Sequence, residues 1–188
     1  MNENLIRQFI EEHAKTVKKF DELKIANAIK IIIDALDNGS KIFWCGNGGS
    51  ASQANHLSAE LIGGMHKHKI SPFNSICLNV DTAFLTAWSN DDSFENIFTR
   101  QLQANGKKGD ILIGLSTSGN STNINNAASY AKKSGIKVIS LTGNDGGKLR
   151  SISDLNINVD SDSTQRIQEI HILIGHIICD LIEKNYIS

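Results

Sequence analysis

Residues 109–121 read GDILIGLSTSGNS, and the fold is decided in this stretch. Ile111 to Leu115 form a short, nearly continuous apolar run, the pattern of a strand buried on both faces. Ser116, Thr117, Ser118 and Ser121 then gather their hydroxyls around Gly119, just before a helix-favouring segment. The same unit occurs upstream: KIFWC at 41–45 runs into Gly46-Asn47-Gly48-Gly49-Ser50 and a helical stretch ending near Ile62. Further apolar or β-prone runs are SICLNV at 75–80, KVISLT at 137–142 and LNINV at 155–159. Five such runs separated by helices predict an α/β fold, a three-layer, five-stranded parallel sheet flanked by helices. In that architecture ligands bind at the carboxyl ends of the strands, where the two glycine- and serine-bearing loops lie.

Outside this core the period changes to that of helices. Ile6, Phe9, Ile10, His13, Val17 and Phe20 mark one amphipathic helix, and Ala26, Ile29, Ile33 and Leu36 a second that stops at Asn38-Gly39-Ser40. A last helix is expected over about 164–184, with Ile167, Ile170, Ile174, Ile177, Ile178 and Leu181 on one stripe. The expected organisation is one domain over 1–188, with extra N-terminal helices in 1–38 and the sheet, its helices and the C-terminal helix in 39–188. Only one proline, Pro72, occurs, and no low-complexity linker divides the chain.

Composition narrows the function. The 188 residues carry a formal net charge of -1, and Lys and Arg are scattered rather than clustered, so the phosphate-neutralising surface of a nucleic-acid binder is missing. The first residues have no apolar signal core, and no stretch approaches the roughly 18 apolar residues of a membrane span. The expectation is a cytoplasmic protein with no nucleic-acid or membrane partner. Cys45, Cys77 and Cys179 are far apart and outside any CxxC spacing, which suits reduced core thiols.

The two loops point to a phosphate. Gly46 to Ser50 allow close backbone approach, and a helix N-terminus there offers free N–H donors. The loop imitates the dinucleotide fingerprint GxGxxG only in part, because Ala51 or Ser52 replaces the third glycine and no acidic residue follows at roughly 20 residues. The loop 116–121 has hydroxyls but no GK[ST], which suits a monophosphate better than a metal-bound triphosphate chain. Capping of the next helix by Ser121 or Asn120 is the plain alternative.

Polar groups occupy the helices around these loops. His56 and Glu60, at i and i+4, share one helix face. On the last helix Gln168 and His176 lie roughly 80° apart, away from the isoleucine stripe, beside the small residues Gly175 and Cys179. That strip would admit a ligand or another helix closely. His171 sits nearer the stripe and is assigned to packing or to a supporting place behind the site. Gln168 and His176 are about 12 Å apart along the axis, a spacing that predicts a site completed by more than one subunit.

These segments resemble the SIS (sugar isomerase) domain family and, within it, the phosphoheptose isomerases. The resemblance spans essentially the whole chain, through CGNGGSASQANHLSAEL (45–61), Asn90-Asp91 before SFENIF, GDILIGLSTSGNS, VISLTGNDGGK (138–148) and RIQEIHILIGH (166–176). It implies a flavodoxin-like SIS fold and the conversion of sedoheptulose 7-phosphate to D-glycero-D-manno-heptose 7-phosphate, the first step toward ADP- or GDP-heptose for lipopolysaccharide or capsule. It also implies substrate contacts from Asn47, Gly48, Gly49, Ser50, Glu60, Asn90, Asp91, Ser116, Thr117, Ser118, Ser121 and Gln168, with the 116–121 loop on the phosphate. By the same resemblance Glu60 and His176 are the acid–base pair, His56, Glu60, Gln168 and His176 hold a zinc ion, and the protein is a homotetramer.

The chain departs from the family at two places. Several members carry an arginine shortly after the glutamate, where this chain reads Leu61-Ile62-Gly63-Gly64, and Gln165 stands in place of an aspartate. Arg100, Lys67 and Lys69 are the cations that could compensate. The alternatives are an isomerase of another sugar phosphate and a non-catalytic SIS-domain adaptor of the kind that binds the replication initiator DnaA. An adaptor has no use for His56, Glu60, Gln168 and His176 together.

Overall fold

A computed structural model of the chain describes residues 2–66 and 71–187. Two helices, α1 (Glu3–Val17) and α2 (Glu22–Asp37), lead into β1 (Ile42–Gly46) and α3 (Gly49–Gly63). There follow β2 (Ser75–Cys77), α4 (Thr82–Asp91), a 3-10 turn (Phe94–Asn96) and α5 (Ile97–Asn105). The second half alternates β3 (Ile111–Ser116), α6 (Thr122–Lys133), β4 (Lys137–Gly143), α7 (Gly147–Ile152), β5 (Leu155–Val159) and α8 (Thr164–Tyr186).

The strands form one parallel sheet in the order β2-β1-β3-β4-β5. Side chains of successive strand residues point to opposite faces, and both faces of β1 are covered. Ile42 and Trp44 join α2, α3 and α8 on one side, while Phe43 and Cys45 join α5, α6 and α7 on the other. The expected three layers are therefore present, and β1 and β3 read as unbroken apolar runs because neither has a wet face. The order reverses between β1 and β3, so a crevice opens there at the carboxyl ends of the strands.

One strand is shorter than its sequence suggests. SICLNV gives only Ser75–Cys77, because the Asn79 amide then takes over the pairing with β1. Its Nδ2 donates to the Gly46 carbonyl at 2.9 Å and its Oδ1 accepts the Gly46 N–H at 3.1 Å. Gly46 itself tolerates no side chain, since a Cβ would lie 2.5 Å from the Ser50 backbone.

α3 and α8 lie side by side and run in the same direction. The small-residue strip on α8 is filled by α3 of the same chain, not by a second subunit: a Cβ on Gly175 would sit 2.3 Å from Leu57 Cδ1, and the Cys179 thiol faces the Leu57 carbonyl at 3.7 Å. Leu57 is fully buried, so this contact is part of the core. α1 lies against the start of α8, where Arg166 donates to the Phe9 carbonyl at 2.6 Å and Glu169 pairs with His13 at 2.7 Å.

Candidate functional site

The two helix-opening loops meet at the β1/β3 crevice. α3 starts at Gly49 and α6 at Thr122. Each helix start carries the positive end of its dipole, and in α3 the Ser50 and Ala51 N–H groups already bond the Asn47 and Gly48 carbonyls at 3.0 Å. Gly48 has φ +55°, a conformation that bends the chain from β1 into α3 and suits glycine. Ser50 is buried under this bend, and its N–H closes the turn on the Asn47 carbonyl at 3.0 Å.

In the second loop the Ser116 and Ser121 hydroxyls lie 3.2 Å apart. Ser121 is the N-cap of α6, yet its hydroxyl takes no helix N–H, so capping does not account for it. Asn120 is no cap either: its Oδ1 accepts the Lys148 N–H at 3.1 Å and its Nδ2 donates to the Ser118 carbonyl at 3.0 Å. Ser118 is exposed, and the Thr117 carbonyl accepts the Gly143 N–H at 3.0 Å. The turn at 143–148 buttresses this loop tightly, since a Cβ on Gly119 (φ +63°) would strike the Gly146 carbonyl at 1.9 Å. The Ser116 and Ser121 hydroxyls are thus held together at the positive end of α6, a donor arrangement suited to an oxyanion.

Farther along α3, His56 and Glu60 meet His176 of α8. The two imidazole Nε2 atoms face each other at 2.8 Å with their rings nearly perpendicular, and Glu60 Oε1 is 3.4 Å from His56 Nε2. One ligand atom from each residue lies within 4.8 Å of the others. A single chain therefore joins Glu60 to His176, and the expectation of a second subunit for this pair does not hold. The spacing of about 12 Å concerned Gln168 and His176 along α8, whereas Glu60 reaches His176 from α3 alongside. Two imidazoles and a carboxylate converging on one point form a donor set that fits a zinc-class cation. Burial, followed by the Glu60 and Glu183 charges, pushes the Cys179 thiol up to about 12, so the sulfur beneath them stays protonated.

Gln168 lies two turns back toward the loops. Its side-chain amide packs against Gly49, where a Cβ would be 2.7 Å from Nε2, and its backbone carbonyl accepts the Gln53 side-chain amide at 2.7 Å. Asn90 and Asp91 are exposed at the end of α4 and hydrogen-bonded to each other at 2.8 Å; neither bonds to the two loops among the described residues. His171 is packed in the core as expected: its Nε2–H donates to the Thr142 carbonyl at 3.1 Å, and burial lowers its pKa to about 4.

The departures from the family pattern have local reasons. Gly64 has φ +81° and faces the Glu183 carboxylate, which accepts the Met65 and His66 N–H groups, so an L side chain there is strained. Gln165 is exposed and accepts the Ser163 hydroxyl at 3.2 Å. Arg100 stacks over Trp88 at 4.9 Å, and Lys67 and Lys69 lie outside the described residues. Asn123 was missed by sequence reasoning: it is buried and exchanges amide hydrogen bonds with Asn47.

Comparison with known proteins agrees with this geometry. The sequence model of the SIS domain matches residues 7–143. A phosphoheptose isomerase of Nitratiruptor sp. is 48% identical over 184 residues, covering 96% of this chain and 98% of that protein. Among solved structures, a phosphoheptose isomerase from Francisella tularensis superposes with a TM-score of 0.93 at 35% identity, covering 98% of this chain and 100% of the other. That from Neisseria gonorrhoeae gives 0.89 at 38%, covering 97% and 98%.

Proposed function

The chain belongs to the phosphoheptose isomerases of the SIS-domain family, and from that membership and the site geometry we propose that it converts sedoheptulose 7-phosphate to D-glycero-D-manno-heptose 7-phosphate. The observation that carries the reading is the convergence of His56, Glu60 and His176 from two helices, one of which, α3, starts at the glycine turn that Asn47 ties to α6 and its hydroxyl-bearing, lysine-free loop.

The phosphate sits on Ser116, Thr117, Ser118 and Ser121 and the start of α6, and the carbon chain extends along Gly48, Gly49 and Gln168 toward Glu60 and His176. Aldose–ketose isomerisation moves a proton between C1 and C2 through an enediol. Glu60 takes the C1 proton of the ketose while His176 protonates the C2 carbonyl oxygen. The proton on Glu60 then returns to C2, and His176 recovers a proton from the C1 hydroxyl as the aldehyde forms. His56, Glu60 and His176, with Gln168, are the residues that would hold a zinc-class cation, which would supply Lewis-acid polarisation of a carbonyl; a Glu60 carboxylate given over to the metal would be a weaker base.

The finer parts of the reading follow from the same membership. Asn90 and Asp91 complete the substrate contacts. A homotetramer is supported by α1, which has no buried residue and presents Leu5, Ile6, Phe9 and Ile10 to solvent, and by the neighbouring apolar groove of Phe20, Ile25, Ile29, Ile177 and Leu181. Among the described residues no helix is long and apolar enough to cross a membrane, which suits a cytoplasmic enzyme feeding heptose to lipopolysaccharide or capsule.

The test is to incubate the purified protein with sedoheptulose 7-phosphate and, separately, with fructose 6-phosphate. Aldose from the heptulose at a clearly higher kcat/KM supports the assignment. Preference for the six-carbon ketose overturns the substrate, and inertness toward both overturns the reaction.

A further inference from the structure

Asn47 and Asn123 are 76 residues apart in sequence and lie on opposite sides of the β1/β3 crevice. Asn47 Nδ2 donates to Asn123 Oδ1 at 2.9 Å, and Asn123 Nδ2 donates back to Asn47 Oδ1 at 2.9 Å. The direction of the pair is fixed. Asn123 Oδ1 also accepts the Ile124 N–H at 2.9 Å, so the opposite amide orientation would place its NH2 against that N–H. Asn123 is 3% exposed, in the first turn of α6, two residues after Ser121. Asn47 immediately precedes the bend into α3, the helix that carries His56 and Glu60.

We propose that Asn123 is a positioning residue which, through Asn47, locks the start of α3 to the phosphate-binding start of α6. Phosphate bound at one loop then sets the register of the carbon chain against Glu60 and His176. The inference rests on the proposed function for its kinetic consequence, but the mechanical link between the loops can be measured without turnover. With one donor and one acceptor site committed to Asn123, the Asn47 amide is held rigid, and the paired amides bridge the crevice directly.

The structural readout is hydrogen exchange with inorganic phosphate as the probe. Phosphate is expected to protect the amides of Gly48 to Ala51 in the wild type, whereas Asn123→Ala binds phosphate within about threefold of wild type without that protection. No protection in the wild type, or equal protection in the variant, overturns the inference whatever the enzyme turns over. In kinetics, Asn123→Ala should lower kcat about tenfold. Asn123→Asp keeps size and both acceptor roles but cannot donate to Asn47 Oδ1, so it should resemble the alanine variant. Wild-type kcat in Asn123→Asp reduces the pair to packing and sinks the proposal. A wild type inert toward sedoheptulose 7-phosphate while the exchange pattern holds would refute only the substrate reading.

Discussion

Gly175→Ala adds one methyl group at the contact that sets the distance between α3 and α8. Its Cβ would meet Leu57 Cδ1 at 2.3 Å, Cδ2 at 2.6 Å and Cγ at 3.0 Å, against 3.4 Å or more in ordinary contact. Relief requires a displacement of about 1.1 Å, taken up by Leu57 or by α8. Leu57 is fully buried and has little room to turn, so much of the shift falls on the helix. His176 is the next residue, and its share of the shift would open the His56–His176 separation of 2.8 Å to as much as ~3.9 Å, outside hydrogen-bond range. Overpacking costs about 1–3 kcal/mol, while replacing a helical glycine by alanine returns about 1 kcal/mol. The net destabilisation is thus up to about 2 kcal/mol, a fall in Tm of at most roughly 8 °C for a chain of this size. Activity should suffer more, with kcat/KM down about a hundredfold, the scale of a 1 Å misplacement at a reacting centre. Leu57→Ala added to this variant removes the clash and should recover part of the activity while lowering Tm further. The assays are thermal unfolding and steady-state isomerisation of sedoheptulose 7-phosphate. Wild-type kcat/KM in a folded Gly175→Ala protein would refute the claim that this contact positions His176.

Glu60→Gln and His176→Gln should each lower kcat by at least about a hundredfold while circular dichroism stays that of the native fold; near-normal turnover removes that residue from the mechanism. Because both residues belong to one chain's site, mixing the two inactive variants and confirming subunit exchange should restore no activity, and recovery would show a site built across subunits. Ser118→Ala and Ser121→Ala should raise KM more than they lower kcat, since contacts to a non-reacting phosphate provide uniform binding; an unchanged KM in both contradicts the loop assignment. His171 has its pKa lowered from 6.5 to about 4 by burial. The unfolded chain therefore takes up this proton first, and His171 makes stability fall as pH drops from about 6.5 to about 4. His171→Gln should flatten that part of a denaturation profile, and an unchanged slope would show that His171 does not carry it.

The α/β architecture was legible because buried strands and amphipathic helices write different periods into the sequence, as β1 and α2 do. β2 was overestimated because an asparagine amide can replace a strand partner, and Asn79 leaves no periodic trace of doing so. His56 and Glu60 were visible as a pair through their helical spacing, whereas the 120-residue separation of His56 and His176 is bridged only by tertiary packing. Gly175 was read correctly as a place of close approach, but the approaching helix belongs to the same chain, a distinction residue size does not encode. Asn123 stands in the asparagine-rich run Thr122-Asn123-Ile124-Asn125-Asn126, where composition does not separate the residue that spans the crevice from those that do not.

The central claim is that one chain's Glu60 and His176 interconvert a ketose and an aldose heptose phosphate. The most direct measurement follows sedoheptulose 7-phosphate by NMR in the presence of the wild-type protein and, separately, of Glu60→Gln. The anomeric proton signal of the aldose 7-phosphate is expected to grow in with the wild type and to be about a hundredfold slower or absent with the variant. A ketose left unchanged by the folded, zinc-supplied wild type, or an equal rate with Glu60→Gln, would contradict it.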